Sequence, residues 1–277
     1  MTPTSFRVAD PDGLRTVVHE WPSPAAPRAV VHVLHGWAEH ALRYDRVATH
    51  LGRSGFAVCA DDHRGHGATG TESGTLGDLG PRGMAGVLDA VKAAGDAIRG
   101  RYPGVPCFLL GHSWGSFLAQ RYVRRWPHDL AGLLLTGTTL RRAGAGAGGA
   151  LNARFEPART AYDWLSRDVD EVDRYVADPL CGFEMMRPAS TTERSAPDDV
   201  ADDAIPTDLP VYVFNGADDP IGGDAGGRAL ADHYRGLGLT DVTFRSYDGG
   251  RHELFNEINR DEVERDVLAW LDAHTGA

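Results

Sequence analysis

The chain has 277 residues, of which 42% are hydrophobic and 24% are charged, a composition typical of a folded globular protein rather than a disordered one. Its 28 Lys and Arg residues against 39 Asp and Glu residues give a net charge of −11. This balance argues against binding to nucleic acid, which depends on basic side chains that neutralise phosphates. The length is compatible with one large α/β core that carries an insertion.

The N-terminus and the cysteines indicate a cytoplasmic protein. Residues 1–13 have neither the basic nor the apolar segment of a signal peptide, and the apolar runs elsewhere are too short to span a bilayer. Cys59, Cys107 and Cys181 are widely separated, so they predict neither a disulfide framework nor a metal-binding pair. We expect no integral membrane segment, which leaves room for transient contact with a membrane surface.

Short apolar runs alternate with longer segments of helical spacing along most of the chain. The runs are continuous, which is the pattern of strands buried on both faces of a parallel sheet. They lie at residues 28–34, 55–60, 105–110, 130–136, 210–214 and 241–247, and the helical segments lie at residues 43–51, 86–101, 116–126, 227–234 and 260–274. Residues 5–9 and 15–21 precede them as an antiparallel pair. The order predicts an α/β fold built from βαβ units.

One region interrupts the alternation, from residue 140 to residue 206. It begins with the flexible composition AGAGAGGA at residues 143–150, contains several aromatic residues and methionines, and ends in an acidic stretch. The aromatic content favours an ordered element over a linker. We therefore predict a cap, residues 140–206, inserted into one core that comprises residues 1–139 and 207–277.

The most specific motif is GHSWG at residues 111–115, placed between a predicted buried strand and a predicted helix. A serine hydroxyl is a weak nucleophile and must be presented on a tight turn, which leaves space only for small residues two positions before and after it. Gly111 and Gly115 meet that demand, so the motif predicts a nucleophile elbow at Ser113. The N-terminus of the following helix favours an oxyanion beside the serine.

A second motif, His35-Gly36-Trp37, follows the strand at residues 28–34. A glycine there lets the chain turn sharply, so that the next amide can face the nucleophile. We predict an oxyanion hole formed by the backbone N–H groups of Trp37 and of Trp114, the residue after the serine.

The base and its orienting carboxylate are predicted from chain order, because in this kind of fold the acid and then the histidine follow the serine. Asp218 and Asp219 both follow the strand at residues 210–214. Asp219 is preferred because of the glycine before it and the proline after it, and Asp218 stays an alternative. His252 follows the last strand and is the predicted base, whereas His233 and His274 have the positions of exposed helix residues.

A metal site and a nucleotide site have little support in the sequence. Residues 61–66, DDHRGH, contain ligand-type side chains, but no second cluster of matching spacing completes a site. We predict instead a structured loop held by Arg64 and the acids. No Gly-rich phosphate-binding motif follows a strand, so no cofactor and no metal are expected.

Together these segments resemble the α/β-hydrolase superfamily, in particular its branch of monoacylglycerol lipases, lysophospholipases and serine-aminopeptidase-like members. The resemblance rests on HGWAEHALRY at residues 35–44, DHRGHG at 62–67, GHSWG at 111–115, GADDPI at 216–221 and GGRHELFNE at 249–257. It implies an α/β-hydrolase fold, with a mostly parallel sheet flanked by helices and an inserted cap. It also implies Ser113 as nucleophile, Asp219 as acid, His252 as base, and Trp37 and Trp114 as oxyanion donors.

The implied activity is the hydrolysis of carboxylic esters through an acyl-enzyme, with a monoacylglycerol, a lysophospholipid or a small acyl ester as substrate. An amidase, a peptidase or a thioesterase would use the same triad, and a catalytically silent ligand-binding protein would keep the same scaffold. The elbow carries Trp114 where relatives commonly have Met, which predicts a narrower acyl pocket. The sequence does not indicate an oligomeric state.

Side chains of the predicted cap are candidates for an apolar acyl-binding wall. The residues expected to contact substrate are Phe155, Trp164, Phe183 and Met186, and Tyr162, Leu165 and Met185 belong to the same group. For each residue alone, packing of the cap on the sheet is the better interpretation; as a group they favour an acyl-binding wall. Glu39, His40, Arg43 and Tyr44 are expected to brace the oxyanion loop.

Overall fold

A computed structural model describes residues 2–140, 151–185 and 202–275 of the chain, which fold around an eight-stranded sheet. The strands are β1 (Thr4–Ala9), β2 (Arg15–Trp21), β3 (Ala29–Leu34), β4 (Phe56–Asp61), β5 (Cys107–His112), β6 (Gly132–Thr136), β7 (Val211–Gly216) and β8 (Val242–Tyr247). Their spatial order is β1-β2-β4-β3-β5-β6-β7-β8. From β4 to β8 the neighbours are parallel, whereas β1 and β2 form an antiparallel edge.

The connections between the parallel strands are helical. In chain order the helices are α1 (Asp45–Arg53), α2 (Gly67–Ser73), α3 (Gly83–Arg101), α4 (Trp114–Arg125), α5 (Val169–Ala177), α6 (Gly223–Gly236) and α7 (Arg260–His274). Within the described residues none of them is both long enough and apolar enough to cross a membrane. Each predicted strand is present, with ends within two residues of the predicted ones.

The sheet is covered by helices on both faces, which explains the continuous apolar runs. The central strands β3 to β7 are buried along their whole length. One hydrophobic cluster joins one face to α1 and α7, and a second joins the other face to α3, α4 and α6. This arrangement leaves the carboxyl ends of the parallel strands as the edge where loops can carry chemistry.

Helix α2 was not predicted, because its sequence GATGTES has no apolar periodicity and contains two glycines. The side chain of Asp62 explains how it starts: one carboxylate oxygen accepts from the amide of Ala68 at 2.7 Å, near the helix N-terminus. The other oxygen accepts from the amide of Ala41 at 2.9 Å. A carboxylate thus organises two turns that the hydrophobic pattern does not encode.

Residues 151–185, between β6 and β7, contain two short 3₁₀ turns and helix α5. They pack on the loops at the carboxyl edge of the sheet. The amide of Glu253 donates to the carbonyl of Leu165 at 2.8 Å, and the guanidinium of Arg167 donates to the buried carboxylate of Glu257 at 2.8 Å. The boundaries predicted for the cap, residues 140–206, reach beyond the described residues and stay a prediction.

Candidate active site

Ser113 lies in the turn between β5 and α4 and has a strained backbone, with φ 52° and ψ −121°. Positive φ is unfavourable for a residue with a Cβ, so the surrounding structure must hold this conformation. A Cβ at Gly111 would approach the carbonyl oxygen of Gly115 to 2.6 Å, and one at Gly115 would approach the carbonyl oxygen of Leu34 to 2.1 Å. Both positions therefore require glycine, as the elbow motif predicts.

His252 and Asp219 form a buried hydrogen-bonded pair. Nδ1 of His252 donates to Oδ1 of Asp219 at 2.9 Å, and the residues are only 1% and 3% exposed. The same carboxylate oxygen accepts from the amide of Ile221 at 2.8 Å, which fixes its direction. Because the carboxylate can only accept, the proton of a neutral imidazole lies on Nδ1, and Nε2 keeps a lone pair. Nε2 is buried and has no hydrogen-bond partner in the described part of the chain.

Asp218, the alternative acid, points elsewhere. Its carboxylate is largely exposed and pairs with the exposed guanidinium of Arg154 at 3.0 Å. The backbone amide of Asp218 donates to the carbonyl of Gly250, near His252. The side chains of the two adjacent aspartates nevertheless diverge, and of the two only Asp219 is hydrogen-bonded to His252.

The loops that carry Ser113 and His252 meet at the carboxyl edge of the sheet. His112, which precedes the serine, donates from Nε2 to the carbonyl of His252 at 3.3 Å, and the two rings are 4.8 Å apart. A Cβ at Gly137 would lie 2.9 Å from Cε1 of His252, so the predicted base is packed against the ends of β5 and β6. The predicted nucleophile and base are therefore on neighbouring loops.

The loop after β3 approaches the serine closely. A Cβ at Gly36 would lie 3.2 Å from Cβ of Ser113 and 2.6 Å from Oε1 of the buried Glu39, so a larger residue there would displace its neighbours. The Trp37 ring meets the Trp114 ring edge-on, with centroids 4.9 Å apart. Trp114 is the first residue of α4, where amides have no acceptor within the helix. The backbones of both predicted oxyanion donors thus lie beside the nucleophile.

Ala38 shapes this oxyanion loop, because its own φ of 52° is also unfavourable. Its amide donates to Nε2 of His66 at 3.1 Å, while its carbonyl accepts from the amide of Gly182 at 2.8 Å and from the hydroxyl of Tyr175 at 3.1 Å. Burial lowers the pKa of His66 to about 3, so the ring is neutral and its Nε2 accepts. Tyr175 and Gly182 were not predicted as loop supports, since their motif lies in the cap.

Arg64 and the acids of residues 61–66 hold their loop through partners in other segments and within the loop. Arg64 pairs with Asp10 and Asp12 in the β1–β2 turn, each at 2.5 Å. Asp61 accepts from the rings of His32 and His63, at 2.7 and 2.8 Å. The sequence places these charges near one another, but only the antiparallel edge of the sheet brings the turn to Arg64.

A buried group of charges lies behind the oxyanion loop. Oε1 of Glu39 accepts from the amide of Gly36, from the hydroxyl of Tyr44 at 3.0 Å and from Nδ1 of His112 at 3.1 Å. Burial alone would raise the pKa of Glu39, but the charge of Arg43 and the bond from His112 outweigh it and hold that pKa well below its ordinary value.

His112 is the second cation of this group. Burial disfavours its charged form, yet the hydrogen bond and charge of Glu39 prevail and raise the pKa of His112. Both of its ring nitrogens face acceptors, the Glu39 carboxylate and the His252 carbonyl, so only the imidazolium satisfies both. His112, which precedes Ser113, is therefore held in place by its ion pair with Glu39.

The predicted substrate-contacting residues pack on different parts of the site. The Trp164 ring lies 4.8 Å from the His252 ring, and the Phe183 ring lies 5.5 Å from that of His66. The guanidinium of Arg251 lies over the Phe155 ring, 4.1 Å from its centre. Met186 lies outside the described residues.

One set of side chains within the described ranges has atoms of metal-ligand type close together, all within 4.8 Å: His40, Asp178 and Cys181. Nε2 of His40 donates to Asp178 at 2.9 Å, which accounts for the closeness of those two without an ion. Burial raises the pKa of Cys181, so the third group is a protonated thiol.

His233 and His274, expected to be exposed, are half-buried. His233 is hydrogen-bonded to Asp202, and His274 to Asp241.

The sheet, its crossovers and the strained serine between β5 and α4 define an α/β-hydrolase fold. Residues 25–259 match the model of the family described as serine aminopeptidase, S33, and the chain belongs to this family.

Among relatives, the monoacylglycerol lipase of Mycolicibacterium smegmatis is 32% identical over 95% of this chain and 94% of its own length. The mouse monoglyceride lipase is 27% identical over 96% of this chain and 89% of its own. The crystal structure of a thermostable carboxyl esterase from Bacillus coagulans, in complex with glycerol, covers both chains completely with a TM-score of 0.87 at 26% identity. The predicted fold and family are thereby confirmed, and the chain is a carboxylic ester hydrolase.

Proposed function

We propose that the chain hydrolyses monoacylglycerols, or other esters of small to medium acyl chains, through an acyl-enzyme on Ser113 with His252 as base and Asp219 as orienting acid. One observation carries the proposal. The buried His252–Asp219 pair leaves Nε2 of the imidazole without a hydrogen-bond partner among the described residues, on the loop that packs against the strained turn of Ser113. A base with an oriented ring and an open nitrogen is what a serine nucleophile requires.

In the first half of the reaction, Nε2 of His252 takes the proton of the Ser113 hydroxyl as Oγ attacks the ester carbonyl. Asp219 holds the ring in the tautomer with the proton on Nδ1 and stabilises the imidazolium that forms. The tetrahedral intermediate collapses when the imidazolium gives its proton to the leaving alcohol, and the acyl group stays on Ser113. Water then attacks the acyl-enzyme with the same base, releasing the acid and free serine.

The oxyanion of each tetrahedral intermediate is assigned to the amides of Trp37 and Trp114. The N-terminus of α4 adds its partial positive charge at the same point. Donors that are oriented before the reaction need no rearrangement when charge develops, and the bonds to Ala38 and Gly36 keep the loop in one conformation.

The substrate class is proposed from the relatives and from the residues around the site. Two relatives that match nearly the whole chain are named for monoacylglycerols, and the similar esterase structure contains glycerol, the alcohol such a substrate would release. Trp37, Trp114 and Phe183 place aromatic surface beside the oxyanion loop, in agreement with an apolar acyl group of limited size. Residues 140–206 are proposed as the cap that completes this wall.

Turnover of monoacylglycerols with acyl chains of 4 to 18 carbons tests the proposal, alongside p-nitrophenyl esters, thioesters and aminoacyl anilides. A fluorophosphonate probe, with mass spectrometry of the labelled peptide, reports the nucleophile. We expect ester turnover, label on Ser113, and loss of both in Ser113→Ala, while Ser54→Ala, at a serine outside the site, behaves as the parent. Label elsewhere, or full ester turnover by Ser113→Ala, contradicts the triad; anilide turnover above ester turnover replaces the proposed reaction with a peptidase.

A further inference from the structure

The guanidinium of Arg43 is buried at the centre of the charged group behind the oxyanion loop. Nη1 donates to Glu39 at 2.6 Å, and Nη1 and Nη2 donate to the two carboxylate oxygens of Glu253, each at 2.6 Å. The plane of the guanidinium also lies over the ring of Tyr175, 4.7 Å from its centre. The Arg43 side chain is only 10% exposed, so these contacts are made almost without water.

Each partner of Arg43 belongs to a different part of the site. Glu39 receives the amide of Gly36 in the oxyanion loop and the ring of His112 next to the nucleophile. Glu253 follows the base His252 directly in the chain. Tyr175 belongs to α5 and donates its hydroxyl to the carbonyl of Ala38. One side chain therefore contacts the supports of the oxyanion loop, the nucleophile turn and the base loop, as well as the segment packed above them.

The groups in this cluster favour one another's charged forms. The facing opposite charges lower the pKa values of Glu39 and Glu253 and raise those of Arg43 and His112, against the effect of burial. A buried ion-pair network of this kind is weak grounds for stability, because desolvation offsets much of the attraction and well-packed apolar residues would serve as well. What it does provide is fixed geometry, since a planar guanidinium binds carboxylates along defined directions whereas an ammonium does not.

We propose that Arg43 is a positioning residue for ester hydrolysis: it fixes the distance between the oxyanion loop, through Glu39, and the base loop, through Glu253. The inference rests on the proposed function, because it assigns a task only if Ser113 reacts with an ester between those two loops. The distance between the two loops matters most when the tetrahedral intermediate forms. The amides on one loop must then bind its oxyanion while the imidazolium on the other loop stays beside the reacting serine. Loss of Arg43 should therefore lower kcat while KM changes little.

Arg43→Lys keeps the positive charge and removes the planar guanidinium that donates to both carboxylates. Measured per active site titrated with the fluorophosphonate, we expect kcat to fall by about 10²-fold, with KM within about threefold. Affinity for an alkyl boronic acid, which forms a tetrahedral adduct with the serine, should fall by the same factor as kcat/KM. Arg64→Lys is the matched control, because Arg64 is a buried arginine whose guanidinium pairs with two carboxylates, Asp10 and Asp12, that belong to neither of the two loops joined by Arg43.

The control separates positioning from stability. Both variants are expected to lower Tm, and only Arg43→Lys is expected to lose kcat and boronate affinity at temperatures well below its Tm. If Arg43→Lys is folded and retains parental kcat and boronate affinity while Ser113→Ala is inactive, the inference is overturned and the proposed function stands. If the parent itself hydrolyses no ester, the proposed function fails instead.

A second pair of variants keeps the test decisive if Arg43→Lys does not fold. Glu253→Gln retains the shape of the side chain and one acceptor for Arg43, and Tyr175→Phe retains the ring while removing the bond to Ala38. Each weakens one arm of the network, so we expect kcat to fall about tenfold in each with KM nearly constant. Unchanged kcat in both folded variants would also overturn the inference.

Discussion

His63 and His252 occupy comparable positions at the carboxyl edge of the sheet, and only one is suited to be a catalytic base. Each is buried, each donates from Nδ1 to a buried aspartate, and each has an Nε2 with no hydrogen-bond partner in the described part of the chain. Both rings also pack on aromatic neighbours, His63 on His35 at 4.0 Å and His252 on Trp164 at 4.8 Å. They differ in their loops: the backbone carbonyl of His252 accepts from His112, the residue before Ser113, whereas His63 lies in the loop after β4.

The two aspartates differ as well. Asp61 divides its oxygens between two imidazoles, His32 and His63, and these bonds hold its pKa low against the effect of burial. Asp219 serves one imidazole and one amide through Oδ1, and its Oδ2 has no partner among the described residues. An Asp–His pair is therefore a structural element as readily as a catalytic one, and the neighbouring nucleophile decides between the two roles.

The largest effect should separate the two histidines. His252→Ala removes the base, and we expect kcat to fall by about 10⁵ to 10⁶-fold with the fold retained. His63→Ala leaves the base intact but removes one partner of the buried Asp61, so it should cost about 2 to 3 kcal/mol of unfolding free energy, with kcat of the folded protein within about tenfold of the parent. Urea unfolding and ester turnover measure both. Comparable losses of kcat in the two variants would contradict the assignment of His252 alone as the base.

The second prediction compares the adjacent aspartates. Asp219→Asn presents an amide to Nδ1 and favours the wrong tautomer of His252, so kcat should fall by about 10⁴-fold. Asp218→Asn removes only an exposed ion pair with Arg154, and we expect kcat within about twofold and a stability change below about 1 kcal/mol. Steady-state kinetics of the two variants decide which residue is the acid. The reverse order of effects would assign that role to Asp218.

Much of this site is predictable from the sequence, because its elements obey local rules. The apolar runs fix the parallel strands, and loops after parallel strands share one edge. Gly111 and Gly115 follow from backbone space alone. The choice of Asp219 over Asp218 was open in the sequence, and the structure supplies the reason: the side chains of consecutive residues in one turn point in different directions, and only one faces His252.

The parts that were missed depend on contacts between distant segments. Arg64 binds Asp10 and Asp12, more than 50 positions away, through the antiparallel edge that brings the first turn to it. Tyr175 and Gly182 support Ala38 from the segment between β6 and β7, where strand and helix periodicity gives no guide. The expected role of Arg43 in bracing the oxyanion loop was the nearest approach to its network, but its bond to Glu253 spans 210 residues.

The third prediction concerns the aromatic residues of the predicted cap. The Trp164 ring packs on the His252 ring. Trp164→Ala removes this ring while keeping the backbone carbonyl that accepts from the His252 amide, so the imidazole gains freedom to move and we expect kcat to fall about tenfold. Phe155 packs on Arg251, one residue from the base, and Phe155→Ala should change kcat by no more than about threefold. Kinetics across acyl-chain lengths also show whether either residue contacts the acyl group. If it does, the KM of the variant relative to that of the parent should rise as the acyl chain lengthens.

The last prediction, which concerns stability and not turnover, distinguishes two buried histidines by the pH dependence of unfolding. The pKa of His66 is lowered to about 3 in the folded chain, so below pH 6.5 the unfolded state binds a proton that the folded state does not, and stability falls as pH falls. Between pH 6 and 4 this one group should contribute a slope approaching about 1.4 kcal/mol per pH unit. His66→Gln keeps an acceptor for the Ala38 amide and should reduce the slope by up to that amount.

His112→Gln is the control for this last measurement, because the pKa of His112 is raised, and its contribution to stability is fully present below pH 6.5 and is lost as pH rises through the folded pKa. Below pH 5 the imidazole is protonated in both states, so His112→Gln should leave the acid slope unchanged. Burial also lowers the pKa of His35, which is why His66→Gln should reduce the slope without abolishing it. Urea unfolding in steps of half a pH unit resolves these differences, and an unchanged slope in His66→Gln would mean that the Ala38 amide does not depend on a neutral imidazole.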